Sequence, residues 1–537
     1  MKRILAFAVS LALAAAMVSC GSGQEGGAAN TAQSSQAGQV SETASGGEST
    51  DEDTAGGTPV ELKKCVGNPI AGFDDKGELT YGGDPSVLVV GDTLYLYVGH
   101  DTSTNDSYVI PEYLCYSTKD MKEWKYEGSV LKMADVKWAE KNSAWAGQVA
   151  RHYDETAGKD KYYFYYCSWD STDSGKQSIG AAVADSPTGP FEDIGQALVK
   201  GSFTEEQTSD WNDIDPTVWI ENGDDGEEHR YLAWGNSKLY VCELNEDMIS
   251  VKDYDGDGEI TFKKDVVAKM PPASYTEAPW IYRRQDENGK YYGDYYLFYA
   301  YGWREQMAYA TTDDLMEGKF DYQDVIMKAS ATSNTNHMAV FDFLGKTWFI
   351  YHNGSLAGGS GFRRVACVEE LKFFDDGAVD YLEETAAGAF GTASVLTAQN
   401  GEKLAHKWFN NSLADDAYPY TDVALGSGLE KTSELDEQWA IVQGKSDKDD
   451  PYAVSIVSNN KAGLYVTVKD GGVVLSQDYD NSMSQAQTFR TVTGLSGEGV
   501  SFESMAEPGM YLTLSGGAAS LTDGSDPQAV SFDVDDA

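Results

Sequence analysis

The stretch Gly83-Asp84-Pro85-Ser86-Val87-Leu88-Val89-Val90-Gly91-Asp92-Thr93-Leu94-Tyr95-Leu96-Tyr97 decides the fold that we predict for this chain. It reads as an apolar strand, a tight Gly-Asp turn and a second strand that alternates aromatic and aliphatic residues. Asp84 stands at the mouth of this hairpin. Because proline disfavours the helical region for the residue before it, Pro85 predicts an extended backbone at Asp84. The stretch indicates an antiparallel β unit with a carboxylate at its entrance.

The same arrangement returns at two later places in the chain. Asp215 directly precedes Pro216 and an apolar strand, and Glu277 stands two residues before Pro279 and an aromatic strand. A single acid before a proline is most often a turn former. Three such motifs, far apart in sequence but alike in their position, predict strands that begin at one common centre. We therefore expect the three carboxylates to meet in one pocket.

The span from residue 63 to residue 396 has a β pattern throughout, in which short aromatic strands alternate with turn signals. The turn signals include Asn288-Gly289, Gly345-Lys346 and Asp375-Asp376-Gly377, and no long stretch has the period of a helix. Aromatic clusters return at intervals of about sixty residues, which is consistent with five four-stranded blades of a β-propeller. A sandwich is the alternative. The propeller is favoured because its inner strands converge on one axis and would bring the three acids together.

Residues 397–537 carry a short internal repeat. Val454-Ser455-Ile456-Val457-Ser458 precedes Gly463-Leu464-Tyr465, and Val500-Ser501-Phe502-Glu503-Ser504 precedes Gly509-Met510-Tyr511 with the same spacing. The repeat predicts a C-terminal β-trefoil-like domain with a degraded first lobe, in a chain that is all-β overall. A plain small β domain that braces the propeller is the alternative.

The first nineteen residues have the features of a signal peptide. A basic start is followed by an apolar run that is too short to span a bilayer comfortably, and by Ser19-Cys20-Gly21. This ending resembles a bacterial lipoprotein signal, which implies cleavage before Cys20 and lipidation of its thiol; an ordinary secretory signal is the alternative. Residues 20–62 are predicted to be a disordered acidic tether. We expect a lipid-anchored protein on the extracellular face of a bacterial membrane.

The composition excludes some partners and favours others. The formal net charge is −46, which would repel nucleic acid and disfavours an anionic polysaccharide. Aromatic residues make up 12% of the chain, which suits a β protein that handles a neutral carbohydrate. The six cysteines form no CxxC pair or metal-type cluster, so we expect no disulfide framework, and four of them lie in apolar strand patterns. We expect a monomer without an organic cofactor.

The span from Asn68 to Val379 resembles glycoside hydrolase family 43, a family of five-bladed propellers, and its likeness is greatest to the arabinoxylan arabinofuranohydrolases. Thr488 to Leu514 resembles the arabinofuranose-binding β-trefoil module. The first resemblance is carried by Tyr95-Leu96-Tyr97-Val98-Gly99-His100-Asp101, Leu114-Cys115-Tyr116-Ser117-Thr118-Lys119-Asp120-Met121, Trp145-Ala146-Gly147-Gln148-Val149, Ile214-Asp215-Pro216-Thr217-Val218, Tyr275-Thr276-Glu277-Ala278-Pro279-Trp280, Thr335-Asn336-His337, Arg364 and Cys367-Val368-Glu369-Glu370.

The family pattern implies a role for each of the three acids. Asp84 matches the base that activates water, Glu277 matches the acid that protonates the leaving oxygen, and inversion needs space for water between them. Asp215 matches a third acid whose negative charge would raise the pKa of Glu277. Arg364 matches an arginine that hydrogen-bonds the sugar. The adjacent Arg363 is the alternative, because a shift of one residue changes the face of a strand.

The resemblance also implies a metal. His337 matches a histidine near a Ca²⁺ on the propeller axis, although Met338-Ala339 stands where the family usually has Pro-Gly; a hydrogen-bonded core histidine is the alternative. A second acidic stretch, Asp253 to Ile260, looks like the start of an EF-hand loop. Its closing position holds Lys264 in place of the required Glu, so an acidic hairpin turn is the better interpretation, with weak Ca²⁺ binding as the alternative.

Four tryptophans are candidates for stacking on sugar rings, with a place in the core as the alternative. They are Trp145, Trp169, Trp280 and Trp303.

The resemblance implies an exo-acting α-L-arabinofuranosidase that removes arabinose side chains from the plant polysaccharides arabinoxylan or arabinan. A β-xylosidase or an endo-arabinanase is the alternative within the family. A non-catalytic sugar-binding surface lipoprotein is the alternative of another class, and the presence of all three acids argues against it.

Overall fold

The computed structural model describes residues 57–173, 175–204, 209–223, 225–407 and 422–537. The predicted signal peptide, Cys20 and the tether as far as residue 56 lie outside the described residues. No helix in the described part of the chain is long and apolar enough to cross a membrane.

Five antiparallel sheets follow one another along the chain. The first two are four-stranded: β1 Gly82–Val90, β2 Thr93–His100, β3 Glu112–Thr118 and β4 Lys125–Lys132, then β5 Gly147–Asp154, β6 Lys159–Trp169, β7 Gln177–Ala184 and β8 Glu192–Asp193. A 3-10 turn at Met133–Asp135 lies between them. In the first hairpin Val90 pairs with Thr93 across Gly91-Asp92, which confirms the predicted two-residue turn.

The next three sheets complete the ring. They are β9 Thr217–Asn222, β10 Glu228–Trp234, β11 Leu239–Glu243 and β12 Val266–Lys269; β13 Trp280–Gln285, β14 Tyr291–Tyr301, β15 Gln306–Thr312 and β16 Asp321–Met327; and β17 Met338–Phe343, β18 Lys346–Asn353 and β19 Val365–Leu371. The first strands of the five sheets contact one another in the order β1, β5, β9, β13, β17 and back to β1. This closed ring confirms the five-bladed propeller.

The fifth blade differs from the predicted four strands, since three described strands form its sheet. A segment from the start of the propeller covers its open edge: Ala71 forms an antiparallel bridge with Ala366, and the amide of Ile70 donates to the Ala366 carbonyl at 3.0 Å. The propeller ring is therefore closed by the pairing of residues 70 and 71, near its start, with β19, its last strand. This pairing protects the backbone groups of an edge that would otherwise be exposed.

The C-terminal domain is one sheet of twelve described strands, and a pairing between β22 and β30 closes its path. The strands are β20 Ser394–Ala398, β21 Ala405–His406, β22 Val423–Gly426, β23 Gln438–Gln443, β24 Ala453–Ser458, β25 Tyr465–Lys469, β26 Gly472–Ser476, β27 Phe489–Thr493, β28 Val500–Ser504, β29 Tyr511–Ser515, β30 Ala518–Thr522 and β31 Phe532–Asp536. A 3-10 turn covers Glu434–Glu437, and a short helix, α1, covers Pro527–Val530.

The internal repeat seen in the sequence corresponds to equivalent strands. The first copy forms β24 and β25 and the second forms β28 and β29, each followed by a hairpin partner. Residues 408–421 lie outside the described residues, so the degraded first lobe stays a prediction. The side chains of the domain enclose their own core, which includes Trp439, Phe489 and Phe502.

The sheet pairings move two of the three predicted domain boundaries. The predicted boundary at 396 falls inside β20, which pairs with β23 and β31 of the C-terminal sheet. Residues 57–62, predicted as the end of the tether, lie beside β27: the amide of Val60 donates to the Thr491 carbonyl at 3.0 Å. Composition predicted the tether, but backbone pairing with a distant strand orders its last residues.

Cysteines 65, 115, 167, 242 and 367 are free, and all of them except the half-buried Cys65 are buried. No disulfide joins the described cysteines, and the expected lack of a disulfide framework stays a prediction.

Candidate active site

The three predicted acids lie together where the inner strands of blades 1, 3 and 4 begin. The His337 imidazole stands between two of them, with Nδ1 4.0 Å from Asp84 Oδ1 and 4.0 Å from Asp215 Oδ2. Asp215 Oδ2 also accepts a hydrogen bond of 2.9 Å from the amide of Ala278, the residue after Glu277. Carboxylates separated by nearly two hundred residues therefore share one buried centre.

The backbone before each of the three prolines is not extended, so the predicted extended conformation is wrong. Asp84, Asp215 and Ala278 have φ values of 53°, 59° and 57°, so each pre-proline residue is left-handed. This conformation costs a residue with a Cβ atom about 1–2 kcal/mol. Such strain is stored mainly at functional sites, and here it recurs three times at the entrance of an inner strand.

Asp84 is held as a carboxylate by an arginine that is itself clamped. Arg364 Nη1 donates to Asp84 Oδ1 at 2.6 Å, while Nε and Nη2 donate to the two oxygens of the buried Asp101 at 2.9 and 3.0 Å. Burial is the largest influence and acts to raise the pKa of Asp84, but the charge and hydrogen bond of Arg364, together with His352 and His337, hold the pKa below the usual range. Asp84 is therefore ionised and suited to act as a base.

Of the two adjacent arginines, Arg364 is the one whose side chain faces the acids, as predicted. Arg363 points away and donates to the Gly358 carbonyl at 2.7 Å and to the Tyr479 carbonyl of the C-terminal domain at 2.9 Å. A Cβ atom at Gly83 would stand 2.2 Å from the Arg364 guanidinium, so a glycine is required there. Because three nitrogens of Arg364 already bond carboxylates, its first role is to hold Asp84. Its contact with sugar stays a prediction.

The sequence did not single out His352, which lies directly against the base. The Asp84 amide donates to His352 Nδ1 at 3.1 Å, and Nε2 lies 3.0 Å from the Thr335 carbonyl. This pattern places the ring proton on Nε2. Burial lowers the pKa of His352 to about 3 and that of His337 to about 4. Both imidazoles are therefore neutral, and Arg364 supplies the positive charge beside Asp84.

The pKa values of Glu277 and Asp215 are raised, in the opposite direction from that of Asp84. Burial and the negative charge of Asp84 raise the pKa of Glu277, although a hydrogen bond of 2.6 Å from Asn236 Nδ2 acts against this. Burial and the charge of Glu277 raise the pKa of Asp215 well above its ordinary value. Burial and the charge of Asp84 raise the pKa of Glu277, and the effect of Asp215 on that pKa stays a prediction.

Aromatic side chains cluster beside Arg364. Tyr108 lies under the Arg364 guanidinium at 4.9 Å and contacts the Phe362 and Trp145 rings at 4.8 and 6.3 Å. Trp145 in turn meets Trp169 edge to face at 5.8 Å. Tyr108 and Phe362 were missed by the sequence argument, because single aromatics in loops carry no pattern that separates them from core residues.

The two remaining tryptophans have different surroundings. Trp303 is 61% exposed and belongs to the loop between β14 and β15, next to the strand entrance that carries Glu277. Trp280 is 4% exposed, packs in the core between blades, and donates from Nε1 to the Val340 carbonyl at 2.9 Å. The prediction that Trp280 stacks on a sugar is therefore wrong, because its ring is enclosed by the propeller.

The residues around His337 would leave most ligands of a Ca²⁺ ion to water, as the family resemblance implies, and calcium binding there stays a prediction. Calcium prefers six to eight oxygen ligands, whereas the groups nearest the imidazole are a carboxylate bonded to Arg364 and one bonded to the Ala278 amide. Protein atoms would supply a cation on the axis with little more than one imidazole nitrogen. No step of the chemistry below depends on a metal.

The acidic stretch near Asp253 forms the expected turn. Oxygens of Asp253, Asp255 and Asp265 lie within 4.8 Å of one another. Lys264 Nζ stands 3.2 Å from Asp255 Oδ2 and closer still to Asp257. An ammonium group thus occupies the place where an EF-hand loop needs its last carboxylate, and weak calcium binding stays a prediction.

Comparison with known families gives two matches. The model of glycosyl hydrolases family 43 matches residues 80–379, and the model of the alpha-L-arabinofuranosidase B domain matches residues 412–535. The two matches coincide with the propeller and with the C-terminal sheet domain.

Individual relatives are more distant. A xylosidase/arabinosidase of Bacteroides ovatus is 29% identical over 347 residues, which cover 56% of this chain and 95% of the relative. A solved β-xylosidase/α-arabinofuranosidase from a compost metagenome, described as a calcium-free form with xylotriose, is 24% identical with a TM-score of 0.46, and covers 61% of this chain and 98% of its own. A solved arabinoxylan arabinofuranohydrolase of Bacillus subtilis with cellotetraose is 18% identical with a TM-score of 0.47 and covers 89% and 92%.

Proposed function

The chain belongs to glycosyl hydrolases family 43, and from this premise we propose that it releases α-L-arabinofuranose side chains from arabinoxylan or arabinan with inversion at the anomeric carbon. The observation that carries the proposal is the convergence of Asp84, Asp215 and Glu277 at the entrances of three inner strands, with the pKa values of Asp84 and Glu277 shifted in opposite directions. Arg364 keeps Asp84 ionised, while burial raises the pKa of Glu277. Two titratable groups whose pKa values are shifted in opposite directions can serve as the base and the acid of one reaction.

The reaction follows from these two states. Asp84 takes a proton from a water molecule as the water oxygen attacks the anomeric carbon. Glu277 gives its proton to the glycosidic oxygen, so the leaving alcohol departs neutral. Asp84 ends protonated and Glu277 ends as a carboxylate, and proton exchange with solvent restores both groups. The clamp of Asp101 on Arg364 fixes the direction from which Asp84 meets the water.

The choice of arabinofuranose is supported by the C-terminal domain, which matches the alpha-L-arabinofuranosidase B domain. A domain that binds arabinose side chains would hold the enzyme on decorated polymer. A β-xylosidase is the second candidate, because the relative from Bacteroides ovatus is named for both activities. An endo-arabinanase is the third. The convergence of the three acids argues against a sugar-binding protein without activity.

The deciding experiment uses the chain from residue 57 onward, which keeps every described strand. It compares hydrolysis of aryl α-L-arabinofuranoside and aryl β-D-xyloside, then of arabinoxylan and linear arabinan. Release of arabinose with the β-anomer appearing first in proton NMR supports the proposal. Predominant release of xylose would replace it with the xylosidase, and absence of hydrolysis on all four substrates would favour a binding protein.

We also propose that the protein is lipid-anchored through Cys20 on the extracellular face of a bacterial membrane and acts on plant polysaccharide as a monomer. The sequence Ser19-Cys20-Gly21 after an apolar run supports the anchor. In a bacterial host the wild-type chain is expected to incorporate labelled palmitate and to enter the detergent phase. Cys20→Ser is expected to lose both properties, whereas Cys65→Ser keeps them. Labelling of the Cys20→Ser variant would refute the anchor.

A further inference from the structure

The loop between β18 and β19, residues 354–363, lies against the C-terminal domain and leads directly to Arg364. It contains four glycines, Gly354, Gly358, Gly359 and Gly361. Glycine loses more conformational freedom on folding than any other residue, so the shape of this β18–β19 loop depends on contacts with its surroundings. Tyr81, next to β1, supplies one of them by donating from its hydroxyl to the Ala357 carbonyl at 2.7 Å.

A glutamine of the C-terminal domain makes further contacts with this loop. Gln477 directly follows β26 and is 8% exposed. Its Nε2 donates to the carbonyls of Gly354 and Gly359 at 3.4 and 3.2 Å. Because a carbonyl oxygen can only accept, the nitrogen of the carboxamide is the atom that must face them. One buried side chain of the C-terminal domain therefore joins the beginning of the β18–β19 loop to its middle.

Arg363 makes a second connection between the same two parts of the chain. Its Nη2 donates to the Tyr479 carbonyl at 2.9 Å, and its Nε donates to the Gly358 carbonyl at 2.7 Å. Its Nη1 reaches the Ser103 carbonyl of blade 1 at 3.4 Å. The guanidinium of Arg363 thus ties the end of the β18–β19 loop to its middle, to blade 1 and to the C-terminal domain.

The segment of the C-terminal domain that makes these contacts is itself fixed. Asp478 stands between Gln477 and Tyr479, is 3% exposed, and accepts from Lys445 Nζ at 3.0 Å and from the Met483 amide at 3.2 Å. The Lys445 side chain is buried as well. Contacts from such an anchored segment can hold a glycine-rich loop in one conformation.

The two backbones also approach each other closely, at places where only glycine fits. A Cβ atom at Gly358 would stand 2.8 Å from Asn481 Nδ2 of the C-terminal domain. A Cβ atom at Gly463 of that domain would stand 2.7 Å from the Cα atom of Ser355. Both distances are too short for a side chain, so the β18–β19 loop is packed tightly against the C-terminal domain.

The β18–β19 loop carries the half-buried Phe362 to the aromatic cluster beside Arg364. Phe362 contacts the Tyr108 ring at 4.8 Å, and Tyr108 lies under the Arg364 guanidinium at 4.9 Å. Arg364 in turn donates to Asp84. A displacement of the loop would therefore change the ring contacts next to the group that acts as the base.

We propose that Gln477 is a positioning residue, which holds the β18–β19 loop from the C-terminal domain so that Phe362 and Tyr108 form the surface against which the sugar binds. The inference rests on the proposed function, in which this site cleaves an arabinofuranoside. Substrate must be held within a fraction of an ångström for reaction, so the support of a contact residue matters as well as the residue itself. The C-terminal domain thus serves the cleavage site directly, in addition to any contact of its own with polymer.

The test measures kcat and KM of Gln477→Met in the full chain, on an aryl α-L-arabinofuranoside and on arabinoxylan. Methionine keeps the length of the side chain but cannot donate a hydrogen bond. We expect KM to rise about 3- to 10-fold on both substrates, the effect of losing hydrogen bonds of ordinary strength. We expect kcat to change less than about 2-fold, because the loop supports binding and not a proton transfer. The aryl substrate is a single sugar, so a tether to polymer cannot explain an effect on it.

Ser433→Ala is the matched control, because it removes another hydrogen bond of the C-terminal domain, from Ser433 Oγ to Glu383 Oε1 at 2.9 Å, outside the β18–β19 loop. It should leave kcat and KM unchanged on both substrates. A rise of KM confined to arabinoxylan in Gln477→Met would mean that the domain only tethers the enzyme to polymer, and would overturn the proposal. A fall of kcat at unchanged KM would indicate a loss of folded protein and would also overturn it.

A readout without turnover separates this proposal from the proposed function. Fluorine NMR of protein made with fluorophenylalanine gives a signal for Phe362, which is assigned through its loss in Phe362→Leu. This signal should shift or broaden in Gln477→Met and stay in place in Ser433→Ala. If wild type cleaves no glycoside but the signal responds in this way, the proposed function fails and the positioning by Gln477 stands. If the signal is unchanged in Gln477→Met, the proposal on Gln477 fails whatever the activity.

Discussion

Glu277→Ala is expected to lower kcat/KM on arabinoxylan by about 10³- to 10⁴-fold, the upper part of the range for loss of a general acid. The sugar alkoxide that leaves from a polysaccharide is strongly basic and needs the proton that Glu277 supplies. A dinitrophenolate leaves without protonation, so the same variant should keep most of its activity on dinitrophenyl arabinofuranoside. The measurement is kcat/KM for a series of aryl arabinofuranosides that differ in the pKa of the leaving phenol.

The dependence on the leaving group distinguishes an acid from a residue that merely holds the fold. In wild type the slope of log kcat/KM against phenol pKa should be shallow, and in Glu277→Ala it should become steep. Glu370→Gln, a partly exposed carboxylate on β19 paired with Lys346, is the control and should keep the wild-type slope. An equal loss on every substrate would remove Glu277 from the role of acid.

Asp84→Asn is expected to lower kcat/KM about 10⁴-fold on every substrate, whatever the leaving group. The amide cannot take the proton from the attacking water, and this step is needed even when departure is easy. The contrast with Glu277→Ala is therefore qualitative: one variant is rescued by a good leaving group and the other is not. The assay series above measures both variants on the same substrates.

The pH profile of the wild-type enzyme gives a second check on Asp84. Because Arg364 holds its pKa below the usual range, the acid limb of kcat/KM should lie below pH 4, close to or under the value of a free Asp. The same shift contributes stability that is present above the unfolded pKa and is lost as the pH falls through the folded pKa. Asp92→Asn, an exposed turn residue, should leave the limb in place. An acid limb near pH 6 would assign the base to another group.

Much of the fold followed from the sequence because the relevant signals are periodic. Alternating strands, turn pairs such as Gly91-Asp92 and the repeated acid–proline motifs are local patterns, and the ring of five inner strands explains why those motifs converge. The repeat of β24–β25 in β28–β29 was visible for the same reason. Two pairings could not be predicted: that of residues 70 and 71 with the edge of the fifth blade, and that of residues 57–62 with β27. Both join segments that lie hundreds of residues apart in the chain.

The catalytic centre was predicted only in part. The three acids carry a motif, whereas Asp101 and His352 take their importance from neighbours that the fold brings to them. Trp280 shows the opposite error, since a tryptophan beside a motif acid turned out to be enclosed between blades. The left-handed backbone before the prolines also could not be read from local preference, because tertiary contacts such as that of Asp215 with the Ala278 amide overrule it.

The pairing of Val60 with Thr491 has a consequence for biosynthesis. Thr491 Oγ1 donates to the Val60 carbonyl across 431 residues of chain. At a ribosomal rate of 5 to 20 residues per second, the first of these residues waits roughly 20 to 90 s for its partner. During that interval the newly made amino-terminal segment has nothing to dock on and stays available to chaperones and proteases. A chain without its last hundred residues lacks Thr491, so residues 57–62 would never gain this partner.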